Sequence, residues 1–423
     1  MRAYCKKIVI ASIAIFVTFL PGCRESGELE QGARVEITTF SLNISSAGTF
    51  RFSDFLEEPE FIPLETTEES VISAMVKQSV VTDSIIFILP AVPNNSVYKF
   101  STGGKFLGSF CKAGRGPLEY VSLEHIHVNM ETRTIAATDI MNKSIITMYF
   151  DGTIKERFRL RDPSFGAWEI FAHPTEDYYL VNTSEGEVWE TIGDEKMTRS
   201  YNLLYYDPVS GKTTCLLPAP FSFAISGLKS FSYYDNEVYF KPPRFDTVYI
   251  VRRDSVFPKF VFDFGNIKTR SELLKSGFSS DYVEYKKTPG VIDLHMHFFQ
   301  TPVYVFSTHE VTPYTNIFHV YDKRTSVSKV YNKVVNDYLG CPYEQEFINA
   351  FLPDSFSDRY FLYLYSPATL FRFYNKLKET LSEEEFMDYL DKNKGYAGLM
   401  SNLKETDNHV LVKYKIRGTH LEE

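Results

Sequence analysis

Apolar and polar residues alternate along most of this chain in short runs, and Gly, Asp, Asn or Pro residues separate the runs. Alternation with a period of two is typical of β-strands that bury one face. The clearest runs are residues 85–89, 134–138, 178–181, 237–240, 303–306 and 360–365. Each is followed by a further strand-like run that ends in a polar turn. The pattern therefore predicts a repeated unit of short antiparallel strands.

The length of this unit is given by the last strand residue before each turn. These residues are Phe100, Tyr149, Tyr206, Val251 and Tyr321, at steps of 49, 57, 45 and 70. Repeats of roughly 40–50 residues with about four strands each are typical of β-propeller blades. A solenoid of helical repeats is excluded because a period of 3.6 is missing. With a last unit at the C-terminal end, we predict an all-β, six-bladed β-propeller.

The last unit contains a break in the strand pattern. Residues 367–405 are rich in helix formers, and Ser382 and Glu385 have the spacing of a capping box, so we expect a helical insertion in the last blade. A closed ring also needs its ends joined. Residues 35–40 or residues 60–64 can supply the N-terminal strand that completes the last blade and removes its exposed edge.

The N-terminal residues have the layout of a signal peptide, in which basic residues precede an apolar run at 8–20. Leu20 and Gly22 stand three and one positions before Cys23, as in a bacterial lipobox, where the cysteine thiol receives a diacylglycerol. We predict lipidation at Cys23. The alternative is a plain secretory signal followed by an incidental cysteine.

These features divide the chain into a signal peptide (1–22), a flexible tether (23–34) and one propeller domain (35–423). Removing residues 1–22 takes away three basic residues and no acidic one, so the formal net charge changes from −9 to −12. A nucleic-acid partner is not expected for so acidic a domain. The remaining cysteines support neither a disulfide framework nor a cysteine-based metal site, since they are odd in number and far apart: Cys111, Cys215 and Cys341.

Four segments together resemble the six-bladed β-propeller lipoproteins of Bacteroidota, which are related in blade pattern to NHL-repeat and TolB-like propellers. The segments are residues 61–70, 97–106, 114–120 and 407–411. The resemblance implies the propeller fold and an outer-membrane lipoprotein; the family's biochemical role is largely uncharacterised, and many members occur among polysaccharide-use systems. This family usually has Gly where the chain has Leu118 and Pro where it has His409. Because only Gly occupies positive φ freely, Leu118 raises the question of the loop's backbone shape.

The sequence does not determine on which face of the outer membrane the protein lies. Residues 24–32 are polar and acidic, and they resemble the tag that directs Bacteroidota lipoproteins to the outer face of the outer membrane. A linker without sorting information explains the same composition. We therefore expect a lipid-anchored protein of the cell envelope that contacts the membrane through its lipid alone.

Two histidine pairs are candidates for a ligand site: His125 with His127, and His295 with His297. A spacing of two on a strand places both rings on one side. The pairs open the second and fifth blades, which face each other in a ring of six. One hypothesis is that the four imidazoles approach the channel and bind a metal or an anionic ligand. The alternative is unconnected histidines packed between blades, and no carboxylate partner at a fixed spacing assigns a metal.

Further candidates are single residues. Arg115 either anchors a ligand at a blade mouth or joins Glu119 in locking the loop between the first and second blades. Several aromatic residues could stack on sugars or fill space between blades: Trp168, Tyr178, Tyr179, Trp189, Tyr233 and Tyr234. Trp189 stands out because residues 185–193 form a long polar excursion from blade three. Arg244, with His125 and His295, is the first candidate for a lyase-like site.

No motif of a serine hydrolase, zinc protease, phosphate loop or dinucleotide site is present, and no cofactor is identified. We therefore expect a binding or interaction module that recognises a glycan, a peptide or an envelope protein through loops at one face. The alternative is a glycoside hydrolase or lyase that uses the central pocket, and a third interpretation is a scaffold within an outer-membrane complex.

Overall fold

The structure is a computed structural model, and it describes residues 35–72, 75–91, 96–116, 118–159, 169–192, 195–219, 229–242, 245–269, 290–293, 297–311, 315–339 and 353–418. Cys23, Arg244 and His295 lie outside these residues. From Ile37 onward the chain forms one compact unit. Its strands form six sheets, and these are the blades of the predicted all-β, six-bladed propeller.

The first three blades are four-stranded meanders in which the first strand in sequence lies innermost. The first blade contains β4 (Val76–Val81), β5 (Ile85–Pro90), β6 (Val97–Ser101) and β7 (Phe106–Phe110). The second contains β8 (Leu123–Asn129), β9 (Thr134–Asp139), β10 (Ser144–Tyr149) and β11 (Ile154–Arg159). The third contains β12 (Glu169–Ala172), β13 (Tyr179–Ile192), β14 (Glu195–Asp207) and β15 (Lys212–Ala219). Here the polar excursion predicted at residues 185–193 is a strand extension, since Trp189 pairs with Thr198.

The last three blades repeat this arrangement with additions. The fourth contains β16 (Phe231–Tyr234), β17 (Glu237–Phe240), β18 (Thr247–Arg252) and β19 (Ser255–Asp263). The fifth contains β20 (Ile292–Asp293), β21 (Phe298–Gln300), β22 (Tyr304–Val311), β23 (Thr315–Asp322) and β24 (Val327–Val335). The sixth contains β25 (Ser355–Phe356), β26 (Tyr360–Tyr365) and β27 (Val410–Lys415).

The N-terminal strands cover the outer edges of these three blades in turn. β1 (Thr38–Ser41) pairs in parallel with β19, and β2 (Gly48–Arg51) pairs in parallel with β24. A short helix, α1 (Phe52–Phe55), then leads to β3 (Glu60–Pro63), which pairs antiparallel with β27 and completes the sixth blade. Two segments were candidates for closing the ring, residues 35–40 and residues 60–64. Residues 60–64 contain the closing strand β3, whereas the strand near residues 35–40 pairs at the edge of blade four.

Three helices lie between β26 and β27: α2 (Pro367–Thr380), α3 (Glu383–Lys392) and α4 (Lys394–Asn402). The capping box is present, because Ser382 Oγ accepts from Glu385 N while the Glu385 carboxylate accepts from Ser382 N. The helices bury Leu370, Phe373 and Tyr396 in a core shared with the fifth and sixth blades. Among the described residues, no helix is both long and apolar enough to cross a membrane.

Asn408 fastens the closed ring. Its Nδ2 donates to the backbone oxygens of Glu65 and Ser70 at 2.8 and 2.9 Å, and its Oδ1 accepts from Ile72 N at 2.9 Å. The side chain is 3% exposed. Two of the segments that carry the family resemblance, residues 61–70 and 407–411, are therefore the two halves of the ring closure.

The loop at residues 111–122 joins the first blade to the second, as the sequence predicts. Glu119 Oε2 accepts from Gly116 N at 2.7 Å, and the Glu119 carboxylate lies where a Cβ at Gly114 would stand. Tyr120 is fully buried in the core between the two blades. Leu118 is exposed and is not among the described residues with positive φ, so this loop does not require the usual Gly there.

Candidate functional site

A cavity of about 260 Å³ lies where the innermost strands of all six blades converge. Its wall carries polar side chains from every blade: Gln78, His125, His127, Glu169, Lys229, Gln300 and Asp354. Glu169, Lys229 and Asp354 stand at or just before the start of a strand, and the others lie within a strand or at its end. The central channel is therefore the place where residues far apart in sequence form one chemical surface.

Three of these residues each bind the neighbouring blade. Gln78 forms two hydrogen bonds with the backbone of Ile126 on the second blade, both of 2.8 Å, and its Nε2 lies 3.1 Å from His125 Nε2. His125 Nδ1 accepts from Ile170 N on the third blade at 3.4 Å. Glu169 accepts in the same way from the fourth blade. This succession fixes the angles between blades one to four at the channel wall.

Glu169 is the most deeply buried carboxylate of the wall, with 4% exposure. Its Oε1 and Oε2 accept from Ser230 N at 3.0 and 2.8 Å. Burial raises the pKa of Glu169 to about 7, and the hydrogen bonds from Ser230 and Phe231 oppose that rise. Near neutral pH this carboxyl group therefore exchanges readily between its protonated and ionised forms.

Lys229 stands immediately before the fourth blade, and its Nζ donates to Pro353 O at 3.0 Å. Burial lowers the pKa of Lys229 to about 8, whereas the charges of Asp354 and Glu169 raise it. No carboxylate of the described residues lies within 4.0 Å of its Nζ, the distance that defines an ion pair. As far as the described residues go, the wall thus holds a cation without a counter-ion in contact.

The structure places His125 and His127 on β8 and on the cavity wall, at the start of the second blade. His297 is 9% exposed and directly precedes β21 in the fifth blade. Burial lowers the pKa of His125 to about 3, of His127 to about 4 and of His297 to about 3, so all three are neutral at pH 7. Within the described part of the chain, no three His, Cys, Asp or Glu side chains are grouped to hold a metal ion. The four-histidine site stays a hypothesis, since His295 is not described.

Aromatic rings lie beside the polar groups on the cavity wall. The His127 ring lies 4.6 Å from the Phe171 ring, and Phe171 lies 5.7 Å from Phe231 and 6.1 Å from Tyr233. Tyr233 is 36% exposed at the cavity wall. The channel therefore offers hydrogen-bonding groups and aromatic faces to the same occupant.

Two grooves adjoin the channel along the junction of the sixth and first blades. One, of about 490 Å³, shares Asp354 with the channel wall and reaches the start of α2. The other, of about 580 Å³, shares Ser357 and Asp358 with the wall. A chain-like ligand could extend from the channel into either groove.

Other residues singled out from the sequence are apart from this wall. Arg115 is exposed in the loop between the first two blades, where Glu119 binds the Gly116 backbone. Trp189 lies on β13, of which the structure describes only the backbone at that position. Tyr178 is buried between the third and fourth blades, and Tyr179 between the second and third.

Sequence reasoning did not identify Gln78, Glu169, Lys229, Gln300 or Asp354. One signal was available for Glu169, a single carboxylate directly before the apolar residues 170–172 at the start of a blade. A polar residue at this place in successive blades is the pattern that points to a channel wall.

Comparisons with known proteins agree with this architecture. A family model described as a domain of unknown function (DUF4934) matches residues 36–415. A solved structure of a candidate exported protein from Bacteroides fragilis is similar, with a TM-score of 0.63 and 17% identity over 90% of this chain and 100% of that one. A DUF4221 family member from Bacteroides vulgatus has a TM-score of 0.42 and 10% identity over 66% of this chain and 86% of that one. No curated protein matches the chain.

Proposed function

The chain belongs to the DUF4934 family, and from this premise we propose that it is an exported binding module whose central channel holds a small polar ligand, with the end of a glycan as the ligand class. The observation that supports this proposal is the convergence of polar side chains and aromatic rings on one cavity. Binding sites of this kind are concave and combine apolar walls with a few placed polar groups.

A sugar matches both the polar groups and the aromatic rings of the wall. Its hydroxyl groups suit the amide, carboxylate and ammonium groups, and its apolar ring face suits Phe171, Phe231 or Tyr233. The cavity, of about 260 Å³, is small for a ligand pocket, so it suits one sugar residue better than a longer segment. The adjoining grooves have room for further residues of the same chain.

Glycan-array screening of residues 35–423, followed by calorimetry, tests the proposal. We expect Tyr233→Ala to weaken binding at least tenfold, because it removes the exposed aromatic face of the wall. Tyr149→Ala is the matched control, since Tyr149 is 44% exposed and is not part of the wall. A blank array, or equal affinity in both variants, would contradict channel binding. If no glycan binds and a pull-down captures a peptide or an envelope protein, that result would support the other expected partner classes.

Lipid attachment at Cys23 and an outer-membrane address form part of the proposal. They are supported by the lipobox-like residues 20–23 and by the resemblance of four segments of this chain to Bacteroidota propeller lipoproteins. Labelled palmitate should enter the wild-type protein and not Cys23→Ala in the producing bacterium. Equal labelling would refute the anchor, and membrane fractionation with surface proteolysis would determine the face.

Enzymatic activity is a second candidate because two channel groups change protonation near neutral pH. The pKa of Glu169 is about 7 and that of Lys229 is about 8, both shifted by burial. Such groups can serve as general acid or base in a hydrolase or lyase. Any glycan that binds should then be cleaved by the wild type and not by Lys229→Met. An unchanged glycan after prolonged incubation leaves the protein a binder.

A further inference from the structure

The Lys229 ammonium at the channel forms no ion pair with a described residue, although the charges of Asp354 and Glu169 act on it from a distance. One of its three N–H groups donates to Pro353 O, and no described carboxylate lies within 4.0 Å of Nζ. A buried or partly buried charge ordinarily has a partner, because desolvation is costly without one. The missing partner is the first indication of what the channel binds.

The two nearest acidic groups are already engaged elsewhere. Both oxygens of Glu169 accept from Ser230 N, which directs this carboxylate at the fourth blade. Asp354 Oδ2 accepts from Leu364 N at 2.7 Å on the sixth blade. These contacts hold the carboxylates against backbone, so they raise the pKa of Lys229 from a distance without forming an ion pair.

A second donor on the wall is also poorly satisfied. Gln300 is 4% exposed and lines the same cavity; its side chain interacts with the Tyr239 hydroxyl group, but its Nε2 forms no hydrogen bond of normal length and angle with a described residue. Buried amide groups in native proteins are nearly always satisfied, so an unpaired one needs an explanation. An ammonium and an amide N–H together require an occupant rich in acceptor oxygens.

We infer that the channel ligand carries a carboxylate, as in a uronic acid residue of a glycan, and that this carboxylate binds the Lys229 ammonium with Gln300 as a further donor. The inference rests on the proposed function, since it names the class of sugar for the same cavity. A carboxylate supplies two acceptor oxygens and a negative charge that can contact the ammonium directly. Asp358 and the second oxygen of Asp354, Oδ1, are the acceptors on the sixth blade for the hydroxyl groups of the sugar.

Calorimetry with three probes tests this inference on residues 35–423: D-glucuronate, its methyl ester and D-glucose. The ester keeps the shape and removes the charge. We expect glucuronate to bind at least tenfold more tightly than the ester or glucose. Lys229→Met should reduce glucuronate affinity to that of the ester, whereas Lys229→Arg should retain a preference for the acid. Lys376→Met, an exposed change on α2, should leave all affinities as in the wild type.

The outcomes separate this inference from the function on which it rests. If the ester and glucose bind as well as glucuronate, and Tyr233→Ala weakens all three, the anionic ligand is refuted while glycan binding in the channel stands. If Lys229→Met retains the full preference for glucuronate, another group binds the carboxylate and the assignment of Lys229 is wrong. If no probe binds at millimolar concentration, the inference fails, and a blank glycan array would then refute the proposed function as well.

Discussion

The loop between the first and second blades and the wall of the central channel both concentrate polar residues, but they use them differently. In the loop, Glu119 binds the Gly116 backbone and Tyr120 fills the core, so the polar groups serve the fold. In the channel, the Lys229 ammonium donates one hydrogen bond, to Pro353 O, and contacts no carboxylate of the described residues. The difference teaches that a conspicuous motif can mark a structural joint, whereas the polar groups that converge on the channel come from residues far apart in sequence.

The largest effect on the structural side is expected at Asn408, which fastens the ring. Asn408→Ala would leave Ile72 N and the Glu65 and Ser70 carbonyl groups without their partner in a buried place. We expect the free energy of unfolding to fall by about 3 kcal/mol, measured by denaturant titration. Asn402→Ala, at an exposed helix end, is the control. A loss below 1 kcal/mol would show that the ring closes without this residue.

Gly114→Ala tests the loop itself. The new Cβ would meet the Glu119 carboxylate, which has to leave Gly116 N to make room. We expect a loss of about 1 kcal/mol in unfolding free energy, the contribution of the hydrogen bond that is broken. Gly103→Ala, whose Cβ would meet only Ser101 Oγ at 3.9 Å, should cost less than 0.5 kcal/mol. Similar losses in both variants would indicate a general effect of replacing glycine.

Lys229→Met should stabilise the protein, in contrast to the two preceding substitutions. Because burial lowers the pKa of Lys229 to about 8, the folded state holds the charged form at pH 7 less favourably than the unfolded state does. Its replacement should raise the free energy of unfolding by about 1–2 kcal/mol, after allowance for solvent in the cavity. Denaturant titration at pH 7 measures the change. A clear loss of stability would show that Lys229 mainly stabilises the fold, through its hydrogen bond to Pro353 O. The channel residue would then have the same structural role as the loop residues.

The channel histidines predict acid sensitivity. His125 is neutral in the folded protein, with a pKa of about 3 caused first by burial, but it titrates near 6.5 when unfolded. Its contribution to stability is therefore full above pH 6.5 and is lost as pH falls towards 3, by up to about 1.4 kcal/mol per pH unit. Melting temperatures between pH 7 and pH 5 should decline less steeply in His125→Gln than in the wild type. Parallel curves would mean that His125 does not take up a proton on unfolding.

The smallest effect is expected at Arg115, which is exposed in the loop. Arg115→Ala should change the free energy of unfolding by less than 0.5 kcal/mol and leave ligand affinity unchanged. The same calorimetric assay decides both points. Weaker ligand binding in this variant would show that the binding site extends from the channel to the loop between the first two blades. The loop would then have a role in binding as well as in the fold.

The fold was accessible from the sequence because each blade repeats a local pattern. Alternating residues such as those of β5 and β26 identify strands, and Ser382 with Glu385 identifies a helix start, without any knowledge of distant contacts. The choice of closing strand was not accessible in this way. Thr38–Ser41 and Glu60–Pro63 both look like edge strands, and only the positions of blades four and six decide between them.

The channel wall was largely inaccessible because each blade supplies only one or two residues to it. Gln78 contacts His125 across 47 positions, and Glu169 contacts Ser230 across 61, so sequence spacing carries no information about the site. The spacing of the paired histidines made them candidates for a ligand site, and His125 and His127 do lie on the wall. Glu169 and Lys229 are isolated residues, and their importance follows from burial, which a strand pattern does not reveal for a single charged position.

The three N-terminal strands also determine how the propeller responds to tension. A pull on the chain near Thr38 reaches the edge of blade four first, then the edge of blade five, and only afterwards β3 in the closing blade. The two parallel edge strands can detach while the antiparallel pairing of β3 with β27 is still intact. We therefore expect a pull from the N-terminal side to detach these two strands one after the other, before β3 leaves the sixth blade and the ring opens.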